Sequence, residues 1–245
     1  MLQFPVIYDG SEGLMMSVHI LKTCLALLVA GVVQFGSADF CAAGPVVGPV
    51  ALTAAEEHLA AQIGFDQCVL LIVKEETWSS LHRLSGYDEN GYQIVVNGFV
   101  AAVPHGQAYD TLSLLRKKFE SRKYKYMVFL IEESQSTKID KLGVLKGTDP
   151  YDIIRTMNTN GENDEVTSEE IIAKMKEWER QFPFSITGAE NSWVEIEFIR
   201  LPTNLSAFAE EVYAFSPATV EDGAGTVAEL IKEIRATHRL TLVWN

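Results

Sequence analysis

SWVEIEFIR, residues 192–200, is the stretch that decides the class of fold, because apolar and polar side chains alternate along it. Alternate side chains of an extended chain point to opposite sides, so the pattern predicts a β-strand with one buried face. The buried face carries Val194, Ile196 and Phe198. The opposite face carries Trp193, Glu195 and Glu197. We therefore expect a sheet that a hydrophobic layer covers on at least one side.

Helical patterns stand on both sides of this strand in the sequence. Four apolar residues recur at the spacing of one helical face, namely Ile171, Met175, Trp178 and Phe182, so we expect Trp178 to belong to the core. A similar spacing predicts a helix over 107–121. Threonines followed three residues later by glutamate have the capping-box pattern of a helix start. These pairs are Thr53 with Glu56, Thr167 with Glu170, and Thr226 with Glu229.

Compact apolar runs predict further strands, since β-branched residues are frequent in them. These runs are Cys68–Val73, Tyr126–Ile131, Leu142–Leu145 and Leu240–Trp244. Tyr92–Val103 also has strand character, and Asn97-Gly98 within it favours a tight hairpin turn. Because strands and helices intermingle, we predict the α+β class, a mixed α/β sandwich whose sheets are flanked by helices. Two similar-sized α/β subdomains are one arrangement that fits this order.

The composition divides the chain into three regions. Residues 1–43 resemble a signal peptide, residues 51–138 form an N-terminal α/β region, and residues 140–245 form a C-terminal α/β domain. A linker rich in glycine and proline, 44–50, follows the first region. The polar segment 132–141 separates the other two.

The N-terminal region has the order of a secretory signal peptide. Lys22 precedes the uncharged apolar run Thr23–Phe35, and small residues follow at 36–38. The run is shorter than the roughly 20 residues that a membrane span needs, so we expect no stable membrane span. A periplasmic or secreted protein is the expectation, and a cytoplasmic protein with a buried apolar N-terminal helix is the alternative. In an oxidising compartment Cys41 and Cys68 could form a disulfide bond.

The formal net charge of −13 argues against nucleic acid as a partner, because phosphate binding depends on lysine and arginine. Excess negative charge maintains solubility or attracts a basic protein partner. The sequence contains no phosphate-binding loop, no dinucleotide fingerprint and no metal-ligand spacing of histidine and cysteine. We therefore expect neither a cofactor nor a metal site.

Glu195 and Glu197 are the candidate catalytic residues. They lie on one strand face with Trp193, roughly 6.5–7 Å apart, so two carboxylates there could act as an acid–base pair or hold a cation. A solvated strand face is the alternative, because such alternation is normal on exposed sheets.

A second candidate site precedes the predicted helix start at Thr226. Asp222, Gly223 and Gly225 stand there, and small residues at a helix N-terminus let a ligand approach the backbone. An ordinary loop with a helix cap is the alternative. Trp193 and Trp244 complete the candidate binding residues.

An ordered series of short motifs runs through the C-terminal region. It comprises Asp149–Arg155, Thr159–Gly161, Trp178, Thr187–Ala189, Trp193–Glu195, Leu201-Pro202, Tyr213–Pro217, Gly225–Val227 and Trp244. Through this series, residues 140–245 resemble the bacterial domain-of-unknown-function family 4253 (DUF4253). The chain departs from the family pattern at several positions: Asn163-Asp164, Ser216, Ala218, Asp222 and Asn245. The resemblance implies a shared fold unit and no particular activity.

We expect a non-catalytic binding or protein-interaction module, exported from the cell. The alternative is a carboxylate-dependent hydrolase or a cation-binding enzyme. The first expectation depends on the missing nucleophile, base and metal motifs, and the second on Glu195 and Glu197.

Overall fold

The structure, a computed structural model, describes residues 50–134, 136–160 and 166–244. The signal-peptide-like region 1–43 lies outside the described residues. The helices are α1 (Ala54–Ile63), α2 (Gln67–Thr77), α3 (Ala108–Ser121), α4 (Tyr151–Met157), α5 (Ser168–Glu179), α6 (Leu205–Phe215) and α7 (Val227–Thr237). The strands are β1 (His82–Tyr87), β2 (Gln93–Pro104), β3 (Tyr126–Glu132), β4 (Ile139–Lys146), β5 (Phe184–Glu190), β6 (Trp193–Phe198) and β7 (Arg239–Val243). A π-helical turn, Thr219–Ala224, lies between α6 and α7.

The strands form one seven-stranded sheet with the order β1-β2-β4-β3-β5-β6-β7. β3 and β5 are parallel, and every other neighbouring pair is antiparallel. This mixed sheet with flanking helices confirms the predicted α+β class. Residues 51–138 and 140–245 both contribute strands to it. The boundary indicated near residue 139 falls at the first residue of β4, whose two neighbours are β2 and β3.

Two hydrophobic clusters hold the helices against the sheet. One cluster joins α1, α2 and α3 to β2, β3 and β4, and it includes Leu70, Phe99 and Leu115. The other joins α4, α5, α6 and α7 to the sheet and includes Trp178. Trp178 is fully buried, and its indole N–H donates to Glu211 at 2.9 Å. The prediction that Trp178 belongs to the core is therefore confirmed.

The predicted strand over Cys68–Val73 is wrong, because these residues lie in α2. Asp66 is the N-cap of this helix, and its carboxylate accepts from the backbone N–H of Cys68 at 2.8 Å. Four apolar residues of the run are buried: Val69, Leu70, Ile72 and Val73. A helix buried on most of its circumference has no polar face, so its sequence cannot be distinguished from a buried strand by periodicity.

The predicted hairpin turn at Asn97-Gly98 is also wrong, since β2 runs through both residues. The turn between β1 and β2 lies at Asp88–Tyr92, where the Asp88 N–H donates to the Tyr92 carbonyl at 2.9 Å. A Cβ atom on Gly98 would lie 2.7 Å from the carbonyl oxygen of Val144 on β4. Gly98 therefore allows the close approach of two strands, which is a common role of glycine within a strand.

Arg116 of α3 joins the two parallel strands of the sheet. Backbone pairing between β3 and β5 is limited to the register position Leu130–Gly188. Beyond that position, one Nη atom of Arg116 donates to the carbonyl of Val128 on β3 at 2.9 Å and to that of Ile186 on β5. The guanidinium thus satisfies strand carbonyls where the parallel ladder is short.

Cys68 is half of a disulfide bond. Cys41, its predicted partner, lies outside the described residues, so the pairing stays a prediction.

Within the described ranges, no helix combines the length and the hydropathy needed to cross a membrane.

Candidate functional site

Glu195 is a buried carboxylate in the middle of β6. Glu195 is only 6% exposed, although a polar residue on an alternating strand is often solvated. Across the sheet it stands opposite Gly188 of β5 and Thr241 of β7. Tyr109 of α3 reaches the face that holds Glu195 and covers part of its carboxylate.

Hydroxyl groups from three elements donate to the Glu195 carboxylate. Thr187 of β5 donates to Oε1 at 2.7 Å, and Tyr109 of α3 donates to Oε2 at 2.8 Å. Thr241 of β7 reaches Oε2 at 3.5 Å. A carboxylate has about four acceptor positions, so these donors occupy most of them and fix its orientation.

The surroundings of Glu195 shift the pKa values of two groups. Burial raises the pKa of Glu195, although the hydrogen bonds from Thr187 and Tyr109 and the charge of Arg239 favour its ionised form. Burial also raises the pKa of Tyr109 well above its usual range, and the negative charge of Glu195 adds to this effect. Tyr109 therefore stays a hydrogen-bond donor to Glu195 throughout the physiological pH range.

Arg239, the first residue of β7, brings a positive charge to the same site. The central carbon of its guanidinium lies 3.4 Å from the centre of the Tyr109 ring, a cation–π contact. Its Nε atom is buried and has no hydrogen-bond partner among the described residues. Among the same residues, Arg239 forms no salt bridge within 4.0 Å.

A cleft of about 250 Å³ opens beside these groups. It lies between the π-helical turn and β7, and α7 forms a further wall. Its polar lining includes Glu195, Arg239, Thr241 and Glu233, and Gly223 contributes backbone from the turn. The structure therefore brings together Glu195 and Gly223, which the sequence placed in two separate candidate sites.

The π-helical turn is anchored to β7 by two hydroxyl groups. The Ser216 hydroxyl donates to the Val243 carbonyl at 2.6 Å, and the Val243 N–H donates to Thr219 Oγ1 at 2.9 Å. Since the Ser216 proton is already used, the hydroxyl of Thr219 donates to Ser216 Oγ at 2.7 Å. The wall of the cleft is thus held in place by buried hydrogen bonds. Single-turn π-helical segments occur frequently at functional sites.

The other predicted site residues lie elsewhere. Glu197 is exposed and is not among the described residues that line the cleft, so the structure does not place the two glutamates in one cleft. Asp222 is exposed on the π-helical turn, and Gly225 is exposed directly after it. Trp244 is only 5% exposed, and its ring packs edge-on against Phe215 with centroids 5.9 Å apart.

Trp193 borders a second, larger cavity of about 620 Å³. Its wall includes Tyr87 and Glu190, which are joined by a hydrogen bond that raises the pKa of Tyr87 to about 12. The charged residues of this cavity have both signs, and the Lys141–Glu132 pair there is an internal salt bridge. Within the described ranges, no group of three or more metal-ligating side chains is close enough to hold an ion.

Tyr109, Thr187 and Arg239 were not among the site residues predicted from the sequence. Arg239 and Thr241 alternate with Leu240 and Leu242, and this alternation was a signal for a polar face on β7. Tyr109 gave no comparable signal, because it lies 86 residues before Glu195 and meets it through folding alone.

Residues 141–245 match the family described as Domain of unknown function (DUF4253). The match confirms the resemblance inferred from the ordered motifs, and it begins within β4. No curated protein and no solved structure matches the chain.

Proposed function

We propose that this protein is a non-catalytic binding module and that the cleft beside Glu195 holds a small polar ligand. The observation that carries the proposal is a buried carboxylate on the wall of an open cleft. Burial of a carboxylate costs free energy unless partners compensate it. A ligand that donates hydrogen bonds to Glu195 would compensate part of that cost. Ligand binding would therefore explain why a glutamate occupies this buried position.

The size of the cleft supports a small ligand. Pockets for drug-sized molecules usually measure about 300–1,000 Å³, and this cleft has about 250 Å³. At roughly 30 Å³ for each water molecule in the liquid, it has space for about eight waters. The expected ligand therefore has on the order of eight non-hydrogen atoms.

The rigidity of the site supports recognition. Glu195 is held by hydroxyl groups from β5, α3 and β7, and the facing turn is anchored by Ser216 and Thr219. Groups that are fixed before the ligand arrives lose little conformational entropy on binding. Such an arrangement suits selective binding of one class of compound.

A carboxylate-dependent hydrolase is the second candidate function. The raised pKa of Glu195 beside a cleft favours it, because general acids are tuned in this way. Glu233, which lines the same cleft, would be the second carboxylate in place of Glu197.

The test is a thermal-shift screen of the full chain with small polar solutes: amines, carboxylic acids, α-amino acids, amides and sugars. We expect at least one class to raise the melting temperature of the wild-type protein and of Glu197→Gln, but not that of Glu195→Gln. Glu197→Gln is the matched control, because it makes the same chemical change two residues away on an exposed side chain.

Two results would count against binding at Glu195: no class produces a shift, or the shift persists in Glu195→Gln. The stabilising solute is then followed by NMR in the presence of protein. Recovery of the solute unchanged supports a binding module. Conversion that disappears in both Glu195→Gln and Glu233→Gln supports the hydrolase instead.

Export is part of the proposal and depends on the signal-peptide-like residues 1–43 of the sequence. We expect expression in a bacterial host to yield a shortened mature chain in the periplasmic fraction, detected by intact mass. A full-length chain found only in the cytoplasm would contradict export.

A basic protein partner is the corresponding interaction proposal, since the net charge is −13. Such binding would weaken with salt.

A further inference from the structure

Two residues of opposite charge line the cleft beside β7 without contacting each other. Glu195 and Arg239 both line it, and among the described residues there is no salt bridge between them within 4.0 Å. Each is held by neutral groups instead. Glu195 accepts from hydroxyls, and Arg239 lies on the Tyr109 ring.

Both charged groups have unused hydrogen-bonding capacity. Oε1 of Glu195 accepts from Thr187 alone among the described residues, while Oε2 accepts from Tyr109 and Thr241. A carboxylate oxygen accepts about two hydrogen bonds, so one position on Oε1 stays open. The guanidinium of Arg239 donates to none of the described residues, although it has five N–H groups in a planar fork.

We propose that the ligand of this cleft is a small zwitterion of the α-amino acid class, with its ammonium group beside Glu195 and its carboxylate beside Arg239. This inference rests on the proposed function and names the class of ligand. A planar guanidinium matches a carboxylate with two parallel hydrogen bonds. A carboxylate with an open acceptor position matches an ammonium group in the same way.

Tyr109 couples the two halves of this site. Its ring supports the guanidinium of Arg239, and its hydroxyl donates to Oε2 of Glu195. One side chain therefore contacts both charged groups. A ligand with a single charge would satisfy one group and leave the other without a charged partner, at a cost in affinity.

The lining also limits the side chain of the amino acid. The cleft has about 250 Å³, and Glu233 and Thr237 of α7 lie on its wall. An amino acid with a small or hydroxylated side chain fits this volume and polarity. A second negative charge on the ligand would face both Glu195 and Glu233, so acidic amino acids are expected to bind more weakly.

The test is isothermal titration of the full chain with L-alanine, ethylamine and propionate. Ethylamine is alanine without its carboxylate, and propionate is alanine without its amine, so the three compounds share one skeleton. We expect L-alanine to bind about 10- to 100-fold more tightly than either fragment, the effect of losing one charge-assisted hydrogen-bonded pair.

Variants assign each half of the ligand to a residue. Arg239→Gln should remove the preference for L-alanine over ethylamine, and Glu195→Gln should remove the preference over propionate. Glu197→Gln should keep both preferences, because Glu197 is not among the described residues lining the cleft. Arg239→Lys is the conservative variant, which should retain a reduced preference for the carboxylate because lysine lacks the planar fork.

The outcomes distinguish this inference from the proposed function. Equal affinity for L-alanine and one of its fragments would overturn the zwitterion, while binding that still requires Glu195 would leave the binding module intact. Binding of L-alanine that both variants retain in full would also overturn the assignment. The comparison of three ligands on the wild-type protein remains decisive even if Arg239→Gln does not fold.

Discussion

Two buried glutamates of this protein shift their pKa values in opposite directions because their partners differ. Burial raises the pKa of Glu195, whose hydrogen-bond donors are neutral hydroxyl groups. Burial acts on Glu56 in the same sense, but hydrogen bonds from Lys74 and from the backbone N–H groups of Thr53 and Leu81 lower its pKa to about 2. The nearby cation and the backbone donors decide the sign of the shift, since both favour the ionised form.

Glu56→Gln should lower the free energy of unfolding at pH 7 by about 2–4 kcal/mol, because it leaves Lys74 without its buried partner. Because the pKa of Glu56 lies below its ordinary value of 4.5, its stabilising effect is complete above that pH. The effect is then lost as the pH falls towards about 2. Urea denaturation of wild type and variant at several pH values measures both effects.

The exposed neighbour Glu57 provides the control for this prediction, because Glu57→Gln changes the net charge equally. We expect Glu57→Gln to change the free energy of unfolding by less than about 0.5 kcal/mol. Equal effects of the two variants would show that the contacts of Glu56 do not stabilise the fold.

Glu195→Gln should stabilise the protein increasingly as the pH rises. The folded-state pKa of Glu195 is raised, so its protonated form stabilises the fold fully below the ordinary value of 4.5. That contribution is lost as the pH rises through the folded-state pKa. Glutamine stays neutral and avoids the loss, so the difference in unfolding free energy should grow in its favour as the pH rises above 4.5. A difference that does not vary with pH would contradict the raised pKa.

At the scale of single elements, local sequence patterns correctly predicted the helices and strands that have one polar and one buried face. SWVEIEFIR became β6, and the capping boxes at Thr53 and Thr167 are present at the starts of α1 and α5. The helix predicted over 107–121 is α3. Elements buried on several sides were misassigned, and α2 is the example, since its apolar run has the composition of a strand.

The candidate site could be predicted in part only. Glu195 stood out because it shares the polar face of an alternating strand with Glu197, but its burial depends on Tyr109, which reaches it from α3. Glu197 was an equal candidate in the sequence, although it is exposed in the structure and Glu195 is not. Contacts between residues far apart in the chain decide the difference, and no local pattern encodes them.

Arg116→Met should weaken the contact between β3 and β5. The variant removes the donors to the carbonyls of Val128 and Ile186, and an unsatisfied buried carbonyl costs about 1–3 kcal/mol. We expect faster hydrogen exchange in β3 and β5 and a lower free energy of unfolding. Lys117→Met is the control, because Lys117 is the exposed neighbour on α3. Unchanged exchange in β5 would mean that Arg116 does not hold the two strands together.

For the whole molecule, the single sheet determines which part of the chain can fold. The family match covers residues 141–245, yet both neighbours of β4, namely β2 and β3, lie before residue 133. A fragment limited to the matched residues would contain most of β4 with neither partner strand. The matched region is thus a unit of sequence similarity that shares its sheet with preceding residues.

We therefore expect the fragment 141–245 to lack a cooperative unfolding transition, whereas the fragment 50–245 should unfold in one transition. Circular dichroism during thermal and urea denaturation of the two fragments measures this difference. The shorter fragment would expose the β4 residues Leu142 and Val144, which are fully buried in the complete sheet. Cooperative unfolding of fragment 141–245 would show that β4 is dispensable for its fold.

The placement of β4 also has a consequence for the order in which the chain can fold as it emerges, N-terminus first, from the ribosome or from a translocation channel. The buried residues of the cluster beneath α1, α2 and α3 all lie between Leu59 and Val144. Once β4 has emerged, this cluster and the four strands β1-β2-β4-β3 can form without any later residue. The other side of those strands, including Phe129 and Leu145, then stays uncovered until the helices of the C-terminal half have emerged. A chain that has emerged only in part therefore presents an uncovered apolar sheet face, and a chaperone would be needed most at that stage.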